Sequence, residues 1–393
     1  MDEVLPYNDY ESSSYSYSMS IMNYTYSGSP VLGPESVIVP LIFVIIAVFA
    51  IAGNSLVIFI VLRYRKMRQS VTNFYILNVA VGDLVYMLAC APLTAALYAD
   101  YQWRFGNFLC KFNAFLQHVT VQATCATLTV MTVDRYYVIT NPFTSRQTRT
   151  ILRAGVICCI VWIVSGLMHV PAALIYGTTK PGEHNYYNEP VIYCTHTHTS
   201  TRFIKFYSIY VIGVTYVIPL AIISVCYGLI LAHLWKLSKG GITATSGKAA
   251  NRKGKAEVLS EGSSVQTATK KWKTTRIVLI VVMLFAICWA PIHAINLWND
   301  VDPNYPHEAK YIYAFRMFCL ILAYSNSCVN PVVYALAGNS FQVYFRQICY
   351  TRPRGKQEVA STKTNYTHSM HRQGRRTSNL QTEMISMTAN TSV

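Results

Sequence analysis

Seven long apolar stretches, each ended by polar or basic residues, set the frame of this chain. They lie near 37–62, 73–98, 107–139, 151–175, 204–235, 274–299 and 309–337. A hydrocarbon core of about 30 Å takes about 20 helical residues, so each stretch is long enough to cross it. The third is the least purely apolar. Beyond the seventh, Phe341, Tyr344, Phe345 and Ile348 recur at helical spacing. That predicts a short amphipathic helix over 339–350, lying on the inner leaflet. The fold class predicted is an all-α membrane protein, a seven-transmembrane helix bundle over 37–338.

Charge placement orients the bundle. The first connection holds Arg63, Arg65, Lys66 and Arg68, and the second Arg146, Arg149 and Arg153. The third, 236–273, is rich in Lys, Gly and Ser, and the tail carries Arg352, Arg354, Lys356, Arg372, Arg375 and Arg376. These segments alternate with less basic ones, which predicts an extracellular N-terminus and a cytoplasmic C-terminus in the plasma membrane. Residues 1–36 form a polar extracellular tail without Lys or Arg. No apolar h-region precedes the first span, so that span is expected to target the chain itself. The loop 236–273 and the tail 351–393 hold too little apolar material to fold alone. Asn23 heads a glycosylation sequon on the outer side.

Composition agrees. The chain is 52% hydrophobic and only 13% charged, against about 25% charged in soluble chains. The net charge of +16 raises the question of nucleic acid. The basic residues sit beside the apolar runs, where they meet anionic membrane lipids, and so no nucleic-acid partner is expected.

A transporter, a channel and a receptor all remain compatible with seven helices, and the polar and Pro positions inside the spans decide among them. Gly53-Asn54 is in the first, Asn78-Val-Ala-Val-Gly-Asp83 in the second, and Cys110 opens the third, which Asp134-Arg135-Tyr136 closes. Trp162 is in the fourth, Pro219 and Tyr227 in the fifth, Cys288-Trp289-Ala290-Pro291 in the sixth, and Asn330-Pro331-Val-Val-Tyr334 in the seventh. This ordered set resembles the rhodopsin-type (class A) G-protein-coupled receptors over nearly all the chain outside its tails. Val71-Thr-Asn-Phe-Tyr75, Cys110-Lys-Phe112, the stretch Val121 to Thr129 and Tyr324-Ser-Asn-Ser327 narrow the resemblance to kisspeptin receptors, with galanin and allatostatin-A receptors less close. The resemblance implies a neuropeptide receptor, not an enzyme. Its ligand would be an amidated kisspeptin-like peptide, and it would act through Gq/11, phospholipase C and calcium. A galanin-like or allatostatin-A-like identity would imply Gi/o instead. Arrestin and receptor kinases would act on the tail.

The same resemblance assigns roles. Asp83, with Asn54, Thr124, Asn326, Ser327 and Asn330, looks like a sodium pocket; a water-filled polar knot is the alternative. No other cofactor is expected. Asp134 would hold Arg135 at rest, beside Tyr136, until Arg135 swings to Tyr227 and Tyr334; a lipid-interface anchor is the alternative for Arg135. Pro291 and Pro331 each remove a backbone hydrogen bond and kink their spans. Trp289 beside the first kink is expected to act as a two-position packing element. Gln117 stands where receptors for amines carry Asp, so an ammonium would lack a counter-ion. A neutral amide suits an amidated peptide end. Gln122, Trp289, His293, Asn296 and Tyr324 are the other expected pocket residues. Asp300, Asp302 and Glu308 flank the mouth, either to attract basic peptide residues or as a solvated acidic rim.

Cys110 and Cys194 are the only cysteines expected on the outer side, where oxidising conditions favour a disulfide. Cys349 is a palmitoylation candidate. A transporter would need inverted repeats or a charged pathway, and no internal repeat is present.

Overall fold

A computed structural model describes residues 34–100, 102–180, 191–197, 200–245, 252–306, 309–337 and 339–349. Side chains at 237–245, 252–274, 337, 339, 340 and 349 are not described. Asn23, Glu308 and the tail 351–393 lie outside the described residues, as does the site of the Asn23 sequon.

Seven helical spans follow one another. The first is Glu35–Arg63. The second is Val71–Ala89, continued by Ala91–Asp100 after a break ahead of Pro92. The third is Gly106–Thr140 and the fourth Ile151–Ile175. The fifth runs through Thr201–Ile212, a π turn at Gly213–Val217 and Ile218–Thr245. The sixth is Arg252–Val301 and the seventh Lys310–Ala337. A helix at Asn339–Cys349 follows, where amphipathic spacing predicts one. Its first residues through Gln342 belong with the bundle, and Val343 begins a second unit.

Among the described residues six helices are long and apolar enough to cross a membrane. The third span, 35 residues long, is not one of them. Its buried face carries Thr120, Gln122, Thr124, Thr127, Thr132 and Arg135, which lowers its hydropathy. That span packs against the second, fourth, fifth and sixth, so its polar groups meet protein, not lipid. The first span is the opposite case. It is apolar on all sides, burying Val39, Phe43, Ile46 and Ala50 while Val37, Leu41, Val48 and Phe49 stay exposed, the pattern of a helix between bundle and bilayer.

The expectation that 236–273 lacks structure does not hold over 236–245 and 252–273, where the backbone is helical. Each stretch lengthens an existing helix, so no new helix nucleus has to form.

At the end of the bundle that charge placement predicts to be outer, two short strands, Tyr176–Thr179 (β1) and Tyr193–His196 (β2), pair antiparallel with Thr178 opposite Cys194. Cys194 is joined to Cys110 at the head of the third span by a disulfide, the pairing expected from topology. The hairpin is also tied by Trp103 N–H to the Ile192 carbonyl (2.7 Å) and by Thr178 N–H to Asn107 Oδ1 (3.0 Å).

The first and seventh spans approach unusually closely at Gly53. A Cβ there would lie 2.9 Å from the Pro331 ring. Next to it, Asn54 Nδ2 donates to the carbonyls of Ala50 and Ser327, each at 2.9 Å. A small residue and a bridging amide are how helices come together where lipid supplies no hydrophobic drive.

Candidate functional site

Beneath the hairpin, the outer half of the bundle encloses a cavity of about 420 Å³. Gln117, Trp289, His293, Asn296, Tyr324, Asp300 and Asp302 all line it. Gln122 does not. It is buried outside the cavity, because five residues past Gln117 is about 140° further around the helix. The expectation that it lines the pocket is corrected accordingly.

The cavity floor is aromatic and neutral. Tyr324 hydroxyl and Thr94 Oγ1 share a hydrogen bond of 2.8 Å across the second and seventh spans. Tyr86 packs on Tyr324 (ring centres 4.7 Å) and on Trp289 (6.2 Å), and Trp289 on His293 (5.8 Å). His293 in turn meets Tyr216 at 5.4 Å, whose hydroxyl donates to the Ala286 carbonyl at 2.9 Å. This continuous row of rings joins the second, fifth, sixth and seventh spans near Pro291. Several buried polar atoms of the cavity lining have no hydrogen-bond partner: Asn113 Oδ1, Asn296 Oδ1, His293 Nε2 and Trp289 Nε1.

At the mouth both described acids accept hydrogen bonds. Asp300 accepts from Ser208 Oγ and from Asn299 Nδ2 (2.5 and 2.8 Å), and Asp302 from Trp298 Nε1 and the Asn304 N–H (3.0 and 2.9 Å). The Asn304 N–H and then the Trp298 indole hold the Asp302 carboxyl below the usual carboxylate range. Both acids are therefore engaged in pinning the outer end of the sixth span, along with Lys205 Nζ donating to the Val301 carbonyl (2.7 Å).

Sequence reasoning missed several cavity residues. His118, Tyr176, His196 and Arg316 all line it. His196 stacks edge-on against Tyr176 at 4.5 Å, and burial lowers its pKa, opposed by the nearby Asp300. Burial also pushes the Tyr176 hydroxyl up to about 12. The helical repeat was a usable signal: Arg316, Leu320 and Tyr324 stand at i, i+4 and i+8, the spacing of one helix face.

In the middle of the bundle Asp83 is buried, and both its oxygens accept hydrogen bonds, from Ser327 Oγ (2.8 Å) and Asn330 Nδ2 (2.9 Å). Asn54, Thr124 and Asn326 are buried as well. Asn54 Oδ1, Asn326 Oδ1 and Asn330 Oδ1 are buried without partners, and of these Asn330 belongs to a residue bonded to Asp83. That donor chemistry fits a hard cation.

At the inner end Arg135 is buried and meets Asp134 at 3.5 Å. Tyr227 hydroxyl donates to the Thr275 carbonyl of the sixth span at 3.3 Å. Tyr334 is buried and stacks on Phe341 at 5.7 Å. A closer partner of Asp134 went unread in the sequence: Arg149 Nε donates to its Oδ1 at 2.7 Å, while Arg149 Nη2 donates to Thr72 Oγ1 at 2.8 Å. The intervening helix Pro142–Thr148 carries Phe143, 87% exposed on the inner side.

The fold is thus a seven-span bundle with a disulfide-roofed cavity towards one end and a buried Arg towards the other. The model of the 7 transmembrane receptor (rhodopsin family) matches residues 53–334, and the chain belongs to that family. Its relatives are receptors and not enzymes. The chain is 37% identical over 311 residues to G-protein coupled receptor 54 of Oreochromis niloticus, covering 79% of this chain and 78% of that one. It is 35% identical to the KiSS-1 receptor of Homo sapiens over 333 residues (84% and 79%). It is 33% identical to the allatostatin-A receptor of Bombyx mori over 348 residues (85% and 87%). It is thus a multi-pass receptor of the neuropeptide type.

Proposed function

We propose that an amidated, kisspeptin-like peptide switches this receptor by seating its carboxamide among Gln117, His293 and Asn296, and that the signal passes to Gq/11, phospholipase C and calcium. The observation that carries this reading is the set of buried oxygens and nitrogens without partners in the cavity lining. A carboxamide brings two N–H donors and one acceptor to such a lining. An ammonium beside Gln117 would meet an amide in place of a carboxylate, and a buried charge without a counter-ion is costly. The identity to the KiSS-1 receptor supports the peptide class.

Binding at the row of rings shifts Trp289, and the Pro291 and Pro331 kinks let the sixth and seventh spans rearrange. Arg135 then leaves Asp134 for Tyr227 and Tyr334, next to Tyr136, and a G-protein segment enters. Only a ligand that binds the open form more tightly can drive this shift. A sodium ion held by Asp83 with Asn54, Thr124, Asn326, Ser327 and Asn330 would favour the closed form; the three partnerless amide oxygens support that site. Arrestin and receptor kinases engage the tail, Asn23 is glycosylated, and Cys349 is palmitoylated beside the inner leaflet.

The test is expression in cells challenged with kisspeptin-like peptides as amides and as free acids, with calcium and cyclic AMP read in parallel. A calcium response to the amide and a much weaker one to the acid is expected. The 33% identity that spans 87% of an allatostatin-A receptor favours a second reading, in which allatostatin-A or galanin peptides lower cyclic AMP through Gi/o. Silence to all of these peptides overturns both.

A further inference from the structure

The geometry at the inner end assigns a part to Arg149: it is a positioning residue that keeps the Asp134 carboxylate paired while Arg135 departs, and so sets how readily the receptor opens. The inference rests on the proposed release of Arg135 from Asp134.

Asp134 faces two cations, and the distances rank them. Arg149 Nε is 2.7 Å from Oδ1, a full charge-assisted hydrogen bond. Arg135 Nη2 is 3.5 Å from Oδ2, longer than a strong hydrogen bond. Oδ2 itself makes no hydrogen bond, and neither do Arg135 Nε and Nη2. Arg149 is held at a second point by Thr72 Oγ1 of the second span at 2.8 Å. Its own backbone N–H caps the loop helix at the Ser145 carbonyl, 3.2 Å away. The guanidinium thus bridges the second span, the third span and the intervening loop, in the forked geometry that Arg makes and Lys cannot.

This arrangement has a direct consequence for the switch. A buried carboxylate that loses its only cation is left uncompensated, and that state is strongly disfavoured. With Arg149 in place, Asp134 remains neutralised after Arg135 swings away. Without Arg149, Asp134 would have Arg135 alone, and the two would close up. Arg149 therefore weakens the hold on Arg135, although on distance alone it would be read as a plain structural tie between loop and helices.

The test uses the full-length receptor in membranes, with agonist-independent nucleotide exchange measured on purified Gq, Gi and Gs at matched receptor density. The peptide concentration giving half-maximal response in cells is a second readout. Asp134→Asn should raise exchange. Arg149→Gln should lower exchange, or raise the half-maximal concentration, by about threefold or more, the lower range for coupled neighbours. Arg149→Lys, which keeps the charge but not the fork, should restore most of the loss. In the Asp134→Asn background, Arg149→Gln should have no further effect. If it lowers signalling there by the same factor, Arg149 acts through loop structure and the inference is overturned. If Arg149→Gln raises exchange, it is overturned too. If Asp134→Asn itself changes nothing, the Arg135 switch fails first and takes this inference with it.

Discussion

Replacing Gly53 by alanine puts a methyl group where the first and seventh spans already touch. The new Cβ would lie 2.9 Å from Pro331 Cγ and 3.0 Å from its Cβ. A Pro ring is tied to its own backbone and cannot swing aside as a long side chain would. The seventh span must shift, and overpacking of this kind costs about 1–3 kcal/mol. Alanine also gains about 0.5–1 kcal/mol of helix propensity over glycine. That gain is cancelled by comparison with Gly166→Ala and Gly228→Ala, where an added Cβ meets nothing within 4 Å. Against those controls Gly53→Ala should melt lower by about 2–12 °C, taking about 2–4 °C per kcal/mol for a bundle of this size. The assay is thermal unfolding in detergent with a thiol-reactive dye. The chain suits it, because Cys90, Cys125, Cys288 and Cys319 are buried free thiols that become reactive on unfolding. Equal melting temperatures for Gly53→Ala and the two controls would refute the close approach.

Three further outcomes are expected. Arg135→Ala should abolish G-protein activation while sparing peptide binding at the cell surface, measured by radioligand; signalling that persists in full would remove Arg135 from the switch. Tyr324→Phe should cost about 1–3 kcal/mol, because it leaves Thr94 Oγ1 without the partner it has at 2.8 Å in a buried site, and should weaken peptide binding; Thr94→Val in the same background should recover part of the stability. Because burial lowers the pKa of His196 from its ordinary 6.5, the unfolded chain takes up that proton first as pH falls. The neutral His196 therefore contributes its full stability above pH 6.5 and loses it progressively below, down to the folded pKa. His196→Gln should flatten the fall in melting temperature on acidification below 6.5, and an unchanged slope would show that this imidazole does not contribute.

How far the sequence could be read depended on how local each feature is. Span positions follow from runs of apolar residues, and an expected orientation follows from which connections hold Arg and Lys. Both can be read without knowing how the helices pack. The Cys110–Cys194 pair needed only the side of the membrane. A carboxylate inside a membrane helix must find partners, and the family resemblance named Asn330 and Ser327 among those of Asp83. The helical backbone over 252–273 was not legible, since its polar composition looks unstructured until a long helix is there to extend.

Apolar length and the set of polar and Pro positions were thus enough, from sequence, for the bundle and its family. Only the packed structure decided that Arg149 is the nearer partner of Asp134, that the mouth acids Asp300 and Asp302 are engaged by Ser208 and Trp298, that Gln122 turns away from the cavity, and that His118, His196 and Arg316 line it. The reason is rotational. Hydropathy says that a helix crosses the membrane, but which side chains meet depends on how each helix is turned about its axis against its neighbours, and that is set by contacts between residues far apart in the chain.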